Sequence, residues 1–233
     1  MREPAARLVT KRSSWYRSLP MRFTSALDDI FAVPSSVRVL RALDGLPEGF
    51  GVSAREVARR AGVSHPAVAR VLASLAEQGL VVRKRSTRGD DFSLNLTHVF
   101  VPKLRGLLEE ERGLRGDVVR FVSHELSRSG VPVDAYLFGS FVWGEMSPTS
   151  DVDLALICRL ADKSRVEANA AALGDAFRAR YGNHLHILIK TTLKPLFESW
   201  AEGFRGPGTK LWMRIIEEGT QLPVRTAKTS TRA

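Results

Sequence analysis

The sequence predicts an α+β chain in two parts, an N-terminal unit of three helices and a β-hairpin followed by a small α/β unit built on a mixed sheet. Three observations carry this. Between residues 34 and 79, three apolar stretches of helical period are separated by glycines, and a strand–turn–strand pattern comes directly after them. Beyond residue 131, short apolar runs of strand length alternate with a longer helical run. The chain has 233 residues, enough for one large core or two small ones.

Each element has a local reason. Residues 1–33 mix Lys11, Arg12, Arg17 and Arg22 with Trp15, Tyr16, Met21 and Phe23, which reads equally as a basic arm or as a helix packed on the domain. Pro34-Ser35-Ser36 marks a helix start, since a serine oxygen accepts from the free amides of a first turn. Val37, Val39, Leu40 and Leu43 continue at helical spacing. Ser53 with Glu56 three residues on is a capping box before Val57, Ala58 and Ala61, and Gly62 ends that helix. Ser64 caps a third helix with Pro66 in its first turn, and Gly79 ends it. LVVRK, STRGDD and FSLNL then read as strand, turn and strand. These pieces fill 34–99.

Residues 100–130 are one or two connecting helices, with Gly113 and Gly116 as interruption points. Within 131–224, strands are expected at Val133–Phe138, Val152–Cys158 and Leu185–Ile189. Helices are expected over Ser164–Tyr181 and, in two pieces split at Gly206-Pro207-Gly208, over Phe197–Glu218. Residues 225–233 are polar and expected to be disordered.

Composition narrows the class. Hydrophobic residues make up 44%, enough for packed cores. Cys158 is the single cysteine, so no intrachain disulfide forms. No run reaches about 18 apolar residues, and the basic N-terminus lacks a secretory signal's apolar stretch, so a cytoplasmic protein without membrane association is expected. The net charge of +10 is uneven: residues 1–100 hold 16 Lys/Arg against 9 Asp/Glu. That balance suits a polyanionic partner such as double-stranded DNA, or simply a soluble basic surface.

The segment SAREVARRAGVSHPAVARVLASLAEQGLVVRK, with its hairpin, resembles the winged helix-turn-helix of bacterial transcriptional regulators over roughly residues 35–97. The resemblance implies a recognition helix entering the major groove N-terminus first. Ser64, His65, Ala67 and Arg70 then lie near base edges and phosphates. Arg70 suits guanine or a phosphate, and Arg83, Lys84, Arg85 and Arg88 form a basic wing. Such regulators often read paired half-sites, so a homodimer fits, and the same fold also serves as a docking module for a partner protein.

The segment YLFGSFVWGEMSPTSDVDLALI resembles the signature of the DNA polymerase β-like nucleotidyltransferase superfamily, notably its minimal bacterial members, over about residues 117–222. Gly139, Ser140, Gly144, Glu145, Ser150, Asp151, Asp153 and Leu154 match it. The resemblance implies that Gly139, Ser140, Trp143 and Ser150 are the positions that bind the nucleoside triphosphate. It also implies that Asp151 and Asp153, two apart on a strand, hold Mg²⁺ or Mn²⁺. Two positions depart from the pattern. Trp143 stands where active relatives carry Arg or Lys, and His186 stands where a third catalytic carboxylate is usual. His184 and His186 share a strand face, so a softer metal held with Asp151 and Asp153 is an alternative.

Two functions are compatible with these motifs. One is a transcriptional regulator whose second domain has a partly degenerate transferase site. The other is an active metal-dependent enzyme passing a nucleotidyl group from a nucleoside triphosphate to a protein, RNA or small molecule, as in toxin–antitoxin pairs, where minimal relatives occur.

Overall fold

A computed structural model describes residues 23–192 and 209–224, except residues 32, 88, 145 and 148. Arg88, Glu145, the helical piece expected near Phe197 and the tail at 225–233 lie outside the described residues.

The chain enters through α1 (Ala26–Ile30) and α2 (Pro34–Asp44). Pro34 itself takes the first helical position, where its missing N–H costs nothing, and neither Ser35 nor Ser36 caps the helix. A two-residue strand, β1 (Val52–Ser53), leads into α3 (Ala54–Ala61). Ser53 Oγ accepts from the Glu56 amide at 3.3 Å. The other half of the expected capping box does not form, because the Glu56 carboxylate turns to Arg59 and Arg60, whose hydrogen bonds hold its pKa down to about 2.

Gly62, at φ 62°, closes α3 in the left-handed region that glycine adopts without a Cβ penalty. α4 (His65–Glu77) comes next. Ser64 occupies its N-cap position but makes no side-chain capping bond. The hairpin of β2 (Val81–Ser86) and β3 (Gly89–Leu94) completes the unit, and β1 adds to β3 as a third antiparallel strand. Val39, Leu43, Val57, Val68 and Leu72 fill the core beneath.

α5 (Val101–Ser129) is one unbroken helix, so Gly113 and Gly116 do not interrupt it. Its 29 residues span about 43 Å at 1.5 Å each. Val101, Leu108, Val118, Val122 and Leu126 form a buried stripe at helical spacing, while both glycines lie on the exposed side. Packing of that stripe outweighs a glycine cost of about 1 kcal/mol each.

The second unit contains β4 (Asp134–Phe138), α6 (Ser140–Trp143), β5 (Val152–Arg159), α7 (Lys163–Tyr181), β6 (Leu185–Thr192), α8 (Thr209–Glu218) and β7 (Thr220–Gln221). The strand order is β6-β5-β4-β7. β5 and β6 run parallel and the other pairs antiparallel, which makes the sheet mixed. Val152, Leu154, Leu156 and Cys158 face a core shared with α5 and α7. Ala155 and Ile157, on the opposite face, pack with Ile215 of α8.

α5 belongs to both units. Arg41 of α2 bonds Glu111 of α5 and Asp28, and both carboxylates are nearly fully buried. Asp44 takes Arg105 at 2.9 Å and Arg112 at 2.8 Å. The end of the N-terminal segment crosses the junction. Phe23 lies in the second unit's core against Phe141 and Tyr181, and Leu27 meets Val37 and Leu108.

Candidate functional site

β4 ends at Phe138, in register with Asp153 of β5. The chain then turns through Gly139 at φ 71° and ψ −155°, a region only glycine occupies readily. Glycine is required a second time, since any Cβ there would collide with the Asp153 carboxylate. Ser140 opens α6, and Phe141 buries its ring in the core beside Phe23. Arg115 of α5 grips this turn. Its guanidinium donates to the carbonyl of Phe141 and, at 3.4 Å, to that of Val142, and it lies over the Phe141 ring.

The loop into β5 is fixed from two sides. Asn183, fully buried, donates to the Ser150 carbonyl at 3.2 Å. The Ser150 hydroxyl accepts from the Ser147 amide at 2.9 Å, so it braces the turn. Asp151 is exposed one residue before β5, and Asp153 sits partly covered on the sheet face opposite Val152 and Leu154. β6 brings His186 into register with Asp153. Its Nδ1 is 2.9 Å from Asp153 Oδ1. The sheet thus joins Gly139 and Asp153, from one stretch of sequence, with His186 from another.

Among the described residues, no group of three or more His, Cys, Asp or Glu side chains is arranged to hold a metal. The arrangement of His184, His186, Asp151 and Asp153 around a softer ion is therefore not formed. Two carboxylates, Asp151 and Asp153, flank the start of β5, and a hard ion such as Mg²⁺ takes few protein ligands, completing its shell with phosphate and water. The imidazole of His186 does not extend that oxygen set.

Trp143 packs against the α8 side of the sheet with Tyr136, Phe138 and Ile215. Its Nε1 is buried without a hydrogen-bond partner among the described residues. Arg214 of α8 lies over the ring, its Cζ 3.8 Å from the centroid, while its Nε donates to Glu218 at 2.7 Å. Neither Arg115 nor Arg214 is signalled by the sequence pattern. Each acts on the turn from a helix 26 or 71 positions away, and no spacing rule reaches that far.

In the first unit, Ser64, His65 and Arg70 are exposed on α4, and Ala67 is partly covered. His65 lies in a groove with Arg55 of α3 and Arg83 of the hairpin. Ala67 and Arg70 turn to the opposite side, a cleft lined by Val37, Leu40 and Leu104. Arg83 and Lys84 belong to strand β2 and pair in register with Phe92 and Asp91, away from the hairpin tip. Arg83 is held by Asp90 at 2.7 Å, so its charge is partly neutralised, while Lys84 and Arg85 are exposed. Arg55 is a further cation of this surface that the motif does not single out, because it sits on the helix before the recognition helix.

Comparison with known proteins accords with both halves. Residues 34–90 match the MarR family, and residues 118–195 match the nucleotidyltransferase domain. No curated protein matches the chain. Among solved structures, the crystal structure of NadR in complex with 4-hydroxyphenylacetate is similar at 24% identity with a TM-score of 0.31, over 41% of this chain and 64% of that one. The match thus spans less than two thirds of that protein's length.

Proposed function

We propose that this chain, a MarR-family winged helix joined to a nucleotidyltransferase domain, is a DNA-binding transcriptional regulator whose nucleotidyltransferase site is partly degenerate. The observation that carries the reading is the pairing of Asp153 with His186. An imidazole stands beside the strand carboxylate where the transferase pattern has a further carboxylate. The Gly139-Ser140 turn and the two aspartates support retention of a nucleotide with Mg²⁺ or Mn²⁺, held by Asp151 and Asp153. A bound ion would neutralise phosphate charge there. The loss of one oxygen ligand supports binding without efficient transfer.

Duplex DNA is the proposed partner of α4 and the hairpin, with Ser64, His65, Arg70, Lys84 and Arg85 as contacts. Arg55 extends the basic surface on the His65 side. A homodimer on paired half-sites is the proposed assembly. No helix among the described residues is long and apolar enough to cross a membrane.

The test is a mobility-shift titration of the full chain on genomic fragments across a range of salt. Specific binding should weaken steeply with salt, and Arg85→Ala should reduce the log–log slope by about 1 if Arg85 meets a phosphate. Arg70→Ala should cost about 1–3 kcal/mol on the preferred fragment if Arg70 reads a base. A chain that shifts no fragment even at low salt would leave the winged helix as a protein-docking module.

A further inference from the structure

The short turn that should cradle triphosphate carries no cation of its own, because Trp143 occupies the basic position. The fold brings one from elsewhere. α8 lies on the sheet face that holds Asp153, since Ile215 packs with Ala155 and Ile157 there. From the preceding position, Arg214 places its guanidinium over the Trp143 ring, its Cζ 3.8 Å from the centroid. We propose that Arg214, held on Trp143, is the residue that binds the polyphosphate of a nucleoside triphosphate in this domain. The proposal rests on the reading that the domain binds nucleotide.

The geometry suits this task in three ways. Glu218 engages only Nε, and among the described residues the two terminal nitrogens of Arg214 meet no carboxylate. That leaves the face of the fork that pairs with phosphate oxygens. A seat over an aromatic ring restrains the guanidinium before any ligand arrives, so less freedom is lost on binding. Trp143 Nε1 adds a buried N–H without an acceptor, which buried donors rarely lack. Trp143 is thus the platform of a cation that the turn no longer encodes. Because Trp143 ends the helix that starts at Ser140, the platform is tied to the Gly139–Asp153 junction.

The test is calorimetric titration of the full chain with ATP, CTP, GTP and UTP in Mg²⁺, then with the di- and monophosphate of whichever binds. Arg214→Ala should weaken triphosphate binding about tenfold or more, the loss of a charge-assisted contact. The loss should shrink with each phosphate removed, and Arg214→Lys should recover part of it. If Arg214→Ala does not fold, Arg214→Gln removes the charge and carries the same readout. Equal affinity in wild type and variant would overturn the proposal alone, as would a loss of equal size for tri-, di- and monophosphate, the mark of packing. A wild type that binds none of the four triphosphates would overturn the proposal together with the nucleotide-binding reading beneath it.

Discussion

His186 faces Asp153 across the parallel β5–β6 pair, with its Nδ1 2.9 Å from Asp153 Oδ1. The pair holds together without a cation, because an imidazole and a carboxylate share a hydrogen bond where two carboxylates would repel. His186→Asp should therefore destabilise the metal-free protein and create a demand for a divalent ion. Melting curves with and without Mn²⁺ should show a metal-dependent rise in the variant that far exceeds the wild type's, with Mn²⁺ affinity tightened about tenfold. A variant whose melting ignores Mn²⁺ would mean that Asp151 and Asp153 do not form a cation site.

The Gly139 turn makes a second expectation. Gly139 and Gly144 both have positive φ, but a Cβ at Gly144 meets open space, whereas one at Gly139 meets the Asp153 carboxylate. Backbone strain of about 1–3 kcal/mol applies to both alanine variants. Gly139→Ala should cost visibly more than Gly144→Ala in urea denaturation, and Asp153→Gly should relieve the excess in the double variant. Equal costs would place the Asp153 side chain away from the turn.

The parts of the fold legible in the sequence are those that short-range rules govern. The Gly139-Ser140 turn and the aspartate pair lie within one stretch, positions 139–153, where strand alternation and glycine's backbone freedom suffice. The helices of the winged unit are legible from periodicity and terminal glycines. The family pattern singles out His186 beside the aspartates, and the strand register puts it next to Asp153. Other features depend on distant partners. The continuity of α5 through Gly113 and Gly116 comes from a stripe buried against both units. The strands β1 and β7 have two residues each, too few to show alternation. Glu56 abandons its capping role for two nearby arginines, a competition that spacing alone does not decide. Arg214 reaches Trp143 only because the sheet and α8 fold together.

The junction between the units rests on buried charge. Arg41 bridges Asp28 and Glu111, whose side chains are each 3% exposed, and Glu111 also accepts from the Leu27 amide at 2.9 Å. Removing Arg41 leaves Glu111 without its cation. Arg41→Ala should cost about 3 kcal/mol or more in denaturant unfolding, since an uncompensated buried carboxylate is left behind. Arg38→Ala should cost less, because Asp28 then keeps Arg41. Equal small losses would mean that α2 is not clamped to α5.

Stability should also fall at high pH through Tyr181. Burial, then its hydrogen bond to Asp117, pushes this phenol from 10.0 up to about 12. Folding therefore favours the neutral form. The contribution is complete below pH 10 and is lost as pH rises through about 12. Tyr181→Phe should flatten stability across that window and cost about 1 kcal/mol at neutral pH for the lost bond to Asp117. An ultraviolet titration showing a tyrosine ionising at the ordinary value in the folded wild type, and no such transition in Tyr181→Phe, would contradict this.

Label transfer separates a DNA-binding regulator that keeps the form of a nucleotidyltransferase without its turnover from an active enzyme. The full chain is incubated with each α-³²P-labelled nucleoside triphosphate in Mg²⁺ or Mn²⁺, with and without cell lysate, beside an Asp153→Asn control. Wild type should transfer no more label to protein, RNA or small molecules than the control does. Label transferred by wild type, lost in Asp153→Asn and also lost in His186→Asp, would contradict it and make His186 a working catalytic residue of an active enzyme.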